Sequence, residues 1–218
     1  MEILKSLDPC YEEYGTEHYK YKLEPPVTEE EVIEFETFFK IKLPEDYRNF
    51  IINIGNGGAG PSNGLYGLWN IVGEIRYFRT RDEELSMEFP FSEQWSLGDP
   101  IPEKSINIKS PTQGTIPICH HGCGMLTYLV VTGPERGNLW GFPSEELYPM
   151  VGKDGKRLKF AEWYMDWLDG QIARLSKKRG MTLSGEINWE LRWICPNCGY
   201  TNLNQYMNCF HCYYEKKK

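Results

Sequence analysis

Four cysteines in the last 24 residues constrain this chain more than any other feature. Cys195, Cys198, Cys209 and Cys212 stand in a Cys-x2-Cys-x10-Cys-x2-Cys array. Each Cys-x2-Cys pair brings two thiolates to one side of a tight backbone knuckle, and two knuckles complete a tetrahedron around one zinc ion. The stretch between them holds little from which to build a core, so metal binding would supply much of its folding free energy. All four positions are Cys and none is left open for water or substrate, which points to a structural rather than a catalytic ion. Paired disulfides or free thiols are the alternative, and the spacing together with a reducing compartment weighs against them. Cys10, Cys119 and Cys123 share no such spacing. Cys119-His120-His121-Gly122-Cys123 could be a second metal cluster or a Cys/His nucleophile pair. The apolar residues Ile116, Ile118 and Leu126–Val131 bracket it like two strands meeting at a turn, which makes the cysteines core or loop residues.

The 218 residues leave room for one medium domain beside this small segment. With 40% hydrophobic and 14% aromatic residues the chain can fill a core, which excludes a disordered protein. No uncharged apolar run reaches the roughly 18 residues of a membrane span. The start, Met1-Glu2-Ile3-Leu4-Lys5-Ser6-Leu7-Asp8, lacks the apolar stretch of a secretory signal, so the expected location is the cytoplasm. The net charge of −7 is unevenly spread. Residues 171–218 carry eight Lys/Arg and three Asp/Glu, a net of +5; residues 1–170 carry 16 basic and 28 acidic side chains, a net of −12. An acidic body repels phosphates and argues against nucleic acid as the main partner.

Along the chain, Pro25-Pro26 force an extended approach to Thr28-Glu29-Glu30-Glu31, a capping-box start to a helix with Val32, Phe35 and Phe39 on its apolar face and Phe38 widening the stripe. A second helix opens at Leu43-Pro44, carries Tyr47, Phe50, Ile51 and Ile54 as its apolar face, and stops at Gly55-Asn56-Gly57-Gly58. Leu65–Val72 and Ile75–Phe78 read as first strands, and Thr115–Cys119, Met125–Val131 and Asn138–Phe142 as clearer ones. Residues 82–113 read as a long surface excursion with one short helix. A last helix covers Leu158 to Lys178, with Phe160, Trp163, Tyr164, Trp167, Leu168, Ile172 and Leu175 on one stripe. The expected architecture is α+β: a mainly antiparallel sheet flanked by helices over residues 1–180, a linker at 181–192, and a small zinc finger at 193–218.

Leu43-Pro44-Glu45-Asp46-Tyr47 with Phe50-Ile51, then Asn56-Gly57-Gly58, Gly122-Cys123-Gly124, Leu129-Val130-Val131-Thr132-Gly133 and Gly137-Asn138-Leu139-Trp140 occur in an order that resembles the SUKH superfamily. That group includes yeast cell-wall assembly regulators and bacterial immunity proteins, and the resemblance spans roughly residues 25–170. The C-terminal pattern Trp193-x-Cys195-x2-Cys198-x3-Asn202-x6-Cys209-x2-Cys212 resembles the short finger of Ran-binding nucleoporins and ubiquitin-binding proteins. There the Trp and Asn are structural. Gly199-Tyr200 stands where some members carry a ubiquitin-binding Thr-Phe pair, and no arginine lies between the Cys pairs where others contact RNA.

These resemblances imply a non-catalytic protein-binding module: an immunity protein or antitoxin that neutralises a cognate, often nuclease, toxin by direct contact. Asp82, Glu83, Glu84 and Glu93 are the candidate contacts for a basic toxin domain. The alternative is a regulatory adaptor whose finger recruits a second protein or, less favoured, RNA. An enzyme is not expected, because His18, His120 and His121 are scattered among unpaired carboxylates and no catalytic motif accompanies them.

Overall fold

A computed structural model describes residues 1–78, 82–100, 108–142, 146–179, 192–198, 201–203 and 215. They fall into two compact units, one of Glu12–Trp167 and one combining Met1–Tyr11 with the chain from Leu168 onward.

The larger unit is built on a five-stranded, wholly antiparallel sheet. Its strands are β1 (Trp95–Ser96), β2 (Thr115–Gly122), β3 (Met125–Val130), β4 (Leu139–Phe142) and β5 (Glu146–Pro149), in the order β1-β5-β4-β3-β2. The class is the expected α+β. Cys123 and Gly124, at φ 50° and 77°, form the two-residue turn joining β2 to β3, so the Gly-Cys-Gly signature is hairpin chemistry.

Following the short α1 (Glu2–Leu7) and α2 (Thr16–Tyr19), helix α3 (Glu29–Phe39) starts with the predicted box: Thr28 Oγ1 accepts from Glu31 N–H, and the Glu31 carboxylate accepts from Thr28 N–H at 2.8 Å. Val32, Phe35, Glu36 and Phe39 are its buried residues. The buried Glu36 is no packing accident. Its Oε1 accepts from Leu43 N–H at 2.8 Å and its Oε2 from Lys42 Nζ at 2.8 Å, while Arg48 Nε lies 3.6 Å away. The carboxylate therefore holds the connection to α4 (Glu45–Asn53), and Arg136 clamps the same segment by donating to the carbonyls of Lys42 and Leu43.

The Leu-Pro-x-Asp-Tyr signature explains itself at the next step. Asp46 Oδ2 accepts from Ala161 N–H at 3.1 Å, capping the first turn of α6 (Phe160–Arg179) from a neighbouring helix. Tyr47 packs edge-on against Phe160, with ring centroids 4.9 Å apart; Phe50 does the same against Phe160 and Tyr164. Burial of the α6 stripe matches its periodicity: Phe160, Trp163, Tyr164 and Leu175 are buried.

Two expectations are corrected. Leu68–Phe78 is not strand but helix α5, with Leu68, Ile71 and Ile75 buried at i, i+3 and i+7. Its β-branched and aromatic content suggested strands, but the period decides, and Asn56 Oδ1 accepts from Leu68 N–H at 2.7 Å to open the helix. Residues 82–113 are not a surface excursion throughout. Leu85, Phe89, Phe91 and Trp95 are buried, and the last three join Val130, Trp140 and Leu147 in one core cluster with Phe142 against it. No periodic pattern announces this segment because it enters the core as irregular chain between a 3-10 turn (Asp82–Ser86) and β1.

In the second unit, β6 (Arg192–Ile194) and β7 (Thr201–Leu203) form an antiparallel hairpin, and Leu4, Leu7, Asp8, Leu175, Ser176 and Cys195 are buried.

Candidate functional site

The cysteine array is half described. β6 runs directly into Cys195, which is buried, and Pro196–Cys198 turn back toward β7, so the first Cys-x2-Cys lies on a tight turn at the end of a hairpin. Trp193 and Asn202 are register partners across that hairpin. Zinc ligation by a Cys-x2-Cys pair needs a tight turn of this kind. Cys209 and Cys212 lie outside the described residues.

The acidic candidates separate. Glu93 is exposed, with Arg157 as a loose partner at 3.5 Å. Glu84 is 3% exposed and its Oε2 has no hydrogen-bond partner among the described residues, so this carboxylate is withdrawn from any contact surface. Its burial follows from the inward turn of residues 85–95 and was invisible in a run of three like charges. Asp82 and Glu83 stand in the same 3-10 turn, and their side chains lie outside the described residues. That turn packs beside α3. Helix α3 itself carries exposed acidic residues, Glu30 and Glu34, and Thr28–Phe39 contains no Lys or Arg.

The Cys/His segment is a latch. Register shifts place Ile118 and His121 as extra residues in β2, and such bulges re-aim side chains. His121 Nδ1 lies 2.8 Å from Ser62 Oγ and its Nε2 lies 2.7 Å from Thr127 Oγ1. His120 Nδ1 meets Asn63 Nδ2 at 3.4 Å, and Cys119 Sγ donates to the Pro61 carbonyl at 3.2 Å. These contacts fasten residues 61–63 to β2. The neighbouring chain continues the attachment: Tyr66 N–H donates to the Ile118 carbonyl, and Leu65 exchanges backbone bonds with Gly58. The β2 edge of the sheet is thereby covered, which protects it from pairing with another chain. Gly58 permits this at φ 90°, where a Cβ would stand 2.4 Å from the Lys22 carbonyl oxygen. The Asn-Gly-Gly signature is thus edge cover plus helix cap.

Burial pushes the Cys119 thiol well above its usual range, the opposite of what a nucleophile needs. It also lowers the pKa of His121, with the neighbouring His120 adding to the effect. His121 is therefore neutral in the fold, whereas the unfolded chain takes up its proton near pH 6.5. Its contribution to stability is present above pH 6.5 and fades as pH falls toward the lowered folded value. Replacing His121 by Gln is expected to flatten that part of the stability profile, measured by urea unfolding between pH 5 and 8. An unchanged slope would show that another group sets it. His121→Ala, which strands the Ser62 and Thr127 hydroxyls, should cost about 1–3 kcal/mol at pH 7.5.

The fold and its surfaces define an α+β scaffold with an acidic helical face and a sheet edge sealed by its own loop. The family model for the SMI1 / KNR4 family (SUKH-1) matches residues 26–170, and the chain belongs to that family. No curated protein and no solved structure matches it. Among the described residues, no helix is long and apolar enough to cross a membrane.

Proposed function

We propose that this protein is a non-catalytic binding module of the cytoplasm, an immunity protein that neutralises a cognate toxin by direct contact. One observation carries the reading: the family's signature residues are engaged within the scaffold, while acidic side chains remain outside. Asp46 caps α6, Asn56 caps α5, Trp140 fills the core, and Cys119, His120 and His121 fasten a loop. The acidic body with exposed Glu30, Glu34 and Glu93 suits a partner that carries basic groups for a phosphate substrate, and it speeds their encounter.

The test is affinity capture from native cells with the full chain and with a chain ending before Trp193. Recovery by both of one basic toxin domain, whose activity the purified chain then inhibits, is the expected result. Capture that depends on the finger would replace this reading with that of an adaptor, which the Trp193–Asn202 hairpin keeps open as the second reading.

In this proposal Cys195, Cys198, Cys209 and Cys212 hold one structural zinc ion, which would close the hairpin turn and stabilise a segment too small to fold by itself. Elemental analysis should give one zinc per chain. Cys195→Ser should abolish it, and a strong chelator should remove it while leaving the cooperative melting of residues 12–167 intact. A full zinc equivalent in the Cys195→Ser protein would exclude this ligand set.

A further inference from the structure

Gly60-Pro61-Ser62-Asn63-Gly64 is a Gly-x-Ser-x-Gly string, the pattern that in many hydrolases lifts a nucleophilic serine onto a sharp turn. Such strings are common, and one acquires meaning only where a base stands beside the hydroxyl. Here one does. His121 Nδ1 lies 2.8 Å from Ser62 Oγ, and the other ring nitrogen, Nε2, lies 2.7 Å from Oγ1 of the buried Thr127. Ser62, Asn63 and His121 are each partly open to solvent, so the pair can be reached.

The backbone supplies a second, independent observation. Ser62 stands at φ 50°, in the left-handed region that a serine rarely adopts. Three neighbours hold it there. Gly64 N–H donates to the Pro61 carbonyl at 2.9 Å, Cys119 Sγ donates to the same carbonyl, and Gly15 comes so near that a Cβ there would stand 2.0 Å from the Ser62 carbonyl oxygen. The two glycines of the string are needed as well: a Cβ at Gly60 would stand 2.7 Å from the Leu65 side chain, and one at Gly64 2.3 Å from the Gly58 carbonyl oxygen. Strain of this kind collects where a side chain must be aimed, and a latch alone does not call for it.

We propose that Ser62 is a nucleophile activated by His121, and that it accepts an acyl group from a small carboxylic ester. The His121 tautomer with its proton on Nε2 donates to Thr127 and leaves Nδ1 to take the Ser62 proton as Oγ attacks the ester carbonyl carbon. The tetrahedral intermediate then collapses, the bond to the leaving oxygen breaks, and that oxygen receives the proton from Nδ1. The products are acyl-Ser62 and an alcohol. Thr127 is a positioning residue, standing where a hydrolase carries a carboxylate. One donor for the developing oxyanion is Ser62's own N–H, which has no partner among the described residues. A second, the Asn63 N–H that follows the nucleophile, is spent on the His120 carbonyl at 3.2 Å. With half an oxyanion hole and no carboxylate, the acyl group stays: one transfer per chain, not turnover. The site is independent of toxin binding and compatible with a module that runs no catalytic cycle.

The probe is p-nitrophenyl acetate mixed with the full chain, read by nitrophenolate release and by mass spectrometry of the peptide that carries Ser62. The expected result is a burst of about one equivalent that Ser62→Ala does not give, with the acetyl group on Ser62. His121→Gln, which keeps a hydrogen-bonding side chain between Ser62 and Thr127, should slow acetylation of Ser62 about 100-fold or more. Thr127→Val should slow it too, and Thr127→Ser should restore it, a rescue that a purely structural hydroxyl would not show. Each variant is assayed at a temperature where circular dichroism shows it folded. Acetyl groups confined to cysteines and lysines would overturn the proposal, as would acetylation of Ser62 at the wild-type rate in His121→Gln. Steady nitrophenolate release with no acetyl-Ser62 would overturn it equally.

Discussion

Trp140→Ala is expected to lower the unfolding free energy by about 3–5 kcal/mol, the range for removing a large aromatic side chain from a packed core. The indole is fully buried in the cluster of Phe89, Phe91, Trp95, Val130 and Leu147, with the Phe89 centroid 4.8 Å away and the Arg157 guanidinium over its ring at 5.9 Å. For a chain of this size the loss corresponds to a drop of about 10–15 °C in Tm. A control separates packing from polarity. Trp140 Nε1 is buried with no hydrogen-bond partner among the described residues, so its desolvation opposes folding. Trp140→Phe removes that N–H along with some volume, and its cost should stay within about 1.5 kcal/mol. Chemical denaturation of both variants checks the pair. Similar losses in the two would mean that the N–H is satisfied in solution.

Glu36→Ala is the second large effect, at about 2–4 kcal/mol. The ion pair with Lys42 contributes little of this, because the lysine side chain is mostly exposed and well solvated. The main loss is the buried, charge-assisted bond to Leu43 N–H, which leaves a backbone donor without its acceptor. Glu36→Gln keeps an oxygen for Leu43 and should recover about half of the loss, whereas Lys42→Ala should cost less than about 1 kcal/mol. A Lys42→Ala loss equal to that of Glu36→Ala would put the ion pair, not the backbone bond, in charge of this connection.

Both residues show how function and fold divide in this molecule. Glu36 sits in a run of acidic residues that reads as a solvated helix face, yet it is the one that turns inward while Glu30 and Glu34 stay out. Glu84 repeats the lesson: it belongs to an acidic run proposed as a contact surface, and the chain carries it inside.

Local chemistry made several elements legible without any structure. The capping box of α3, the apolar stripe of α6 and the Gly-Cys-Gly hairpin each depend on neighbours in sequence, through hydrogen bonds or helical period. What sequence could not decide were the long-range pairings. In Leu68–Phe78 the β-branched and aromatic content hid a helical period, and the cap that opens the helix comes from Asn56, 12 residues upstream. Phe89, Phe91 and Trp95 have no periodicity to announce them; they are buried because Trp140 and Leu147, some 50 residues away, complete their cluster. Asp46 and His121 acquired their roles the same way, one by capping a helix that begins over 100 residues later, the other by a bulge that aims its ring at Ser62 and Thr127. A side chain's propensity is local, but its burial and its polar partner belong to whatever the completed fold brings alongside, and that only the tertiary structure decided.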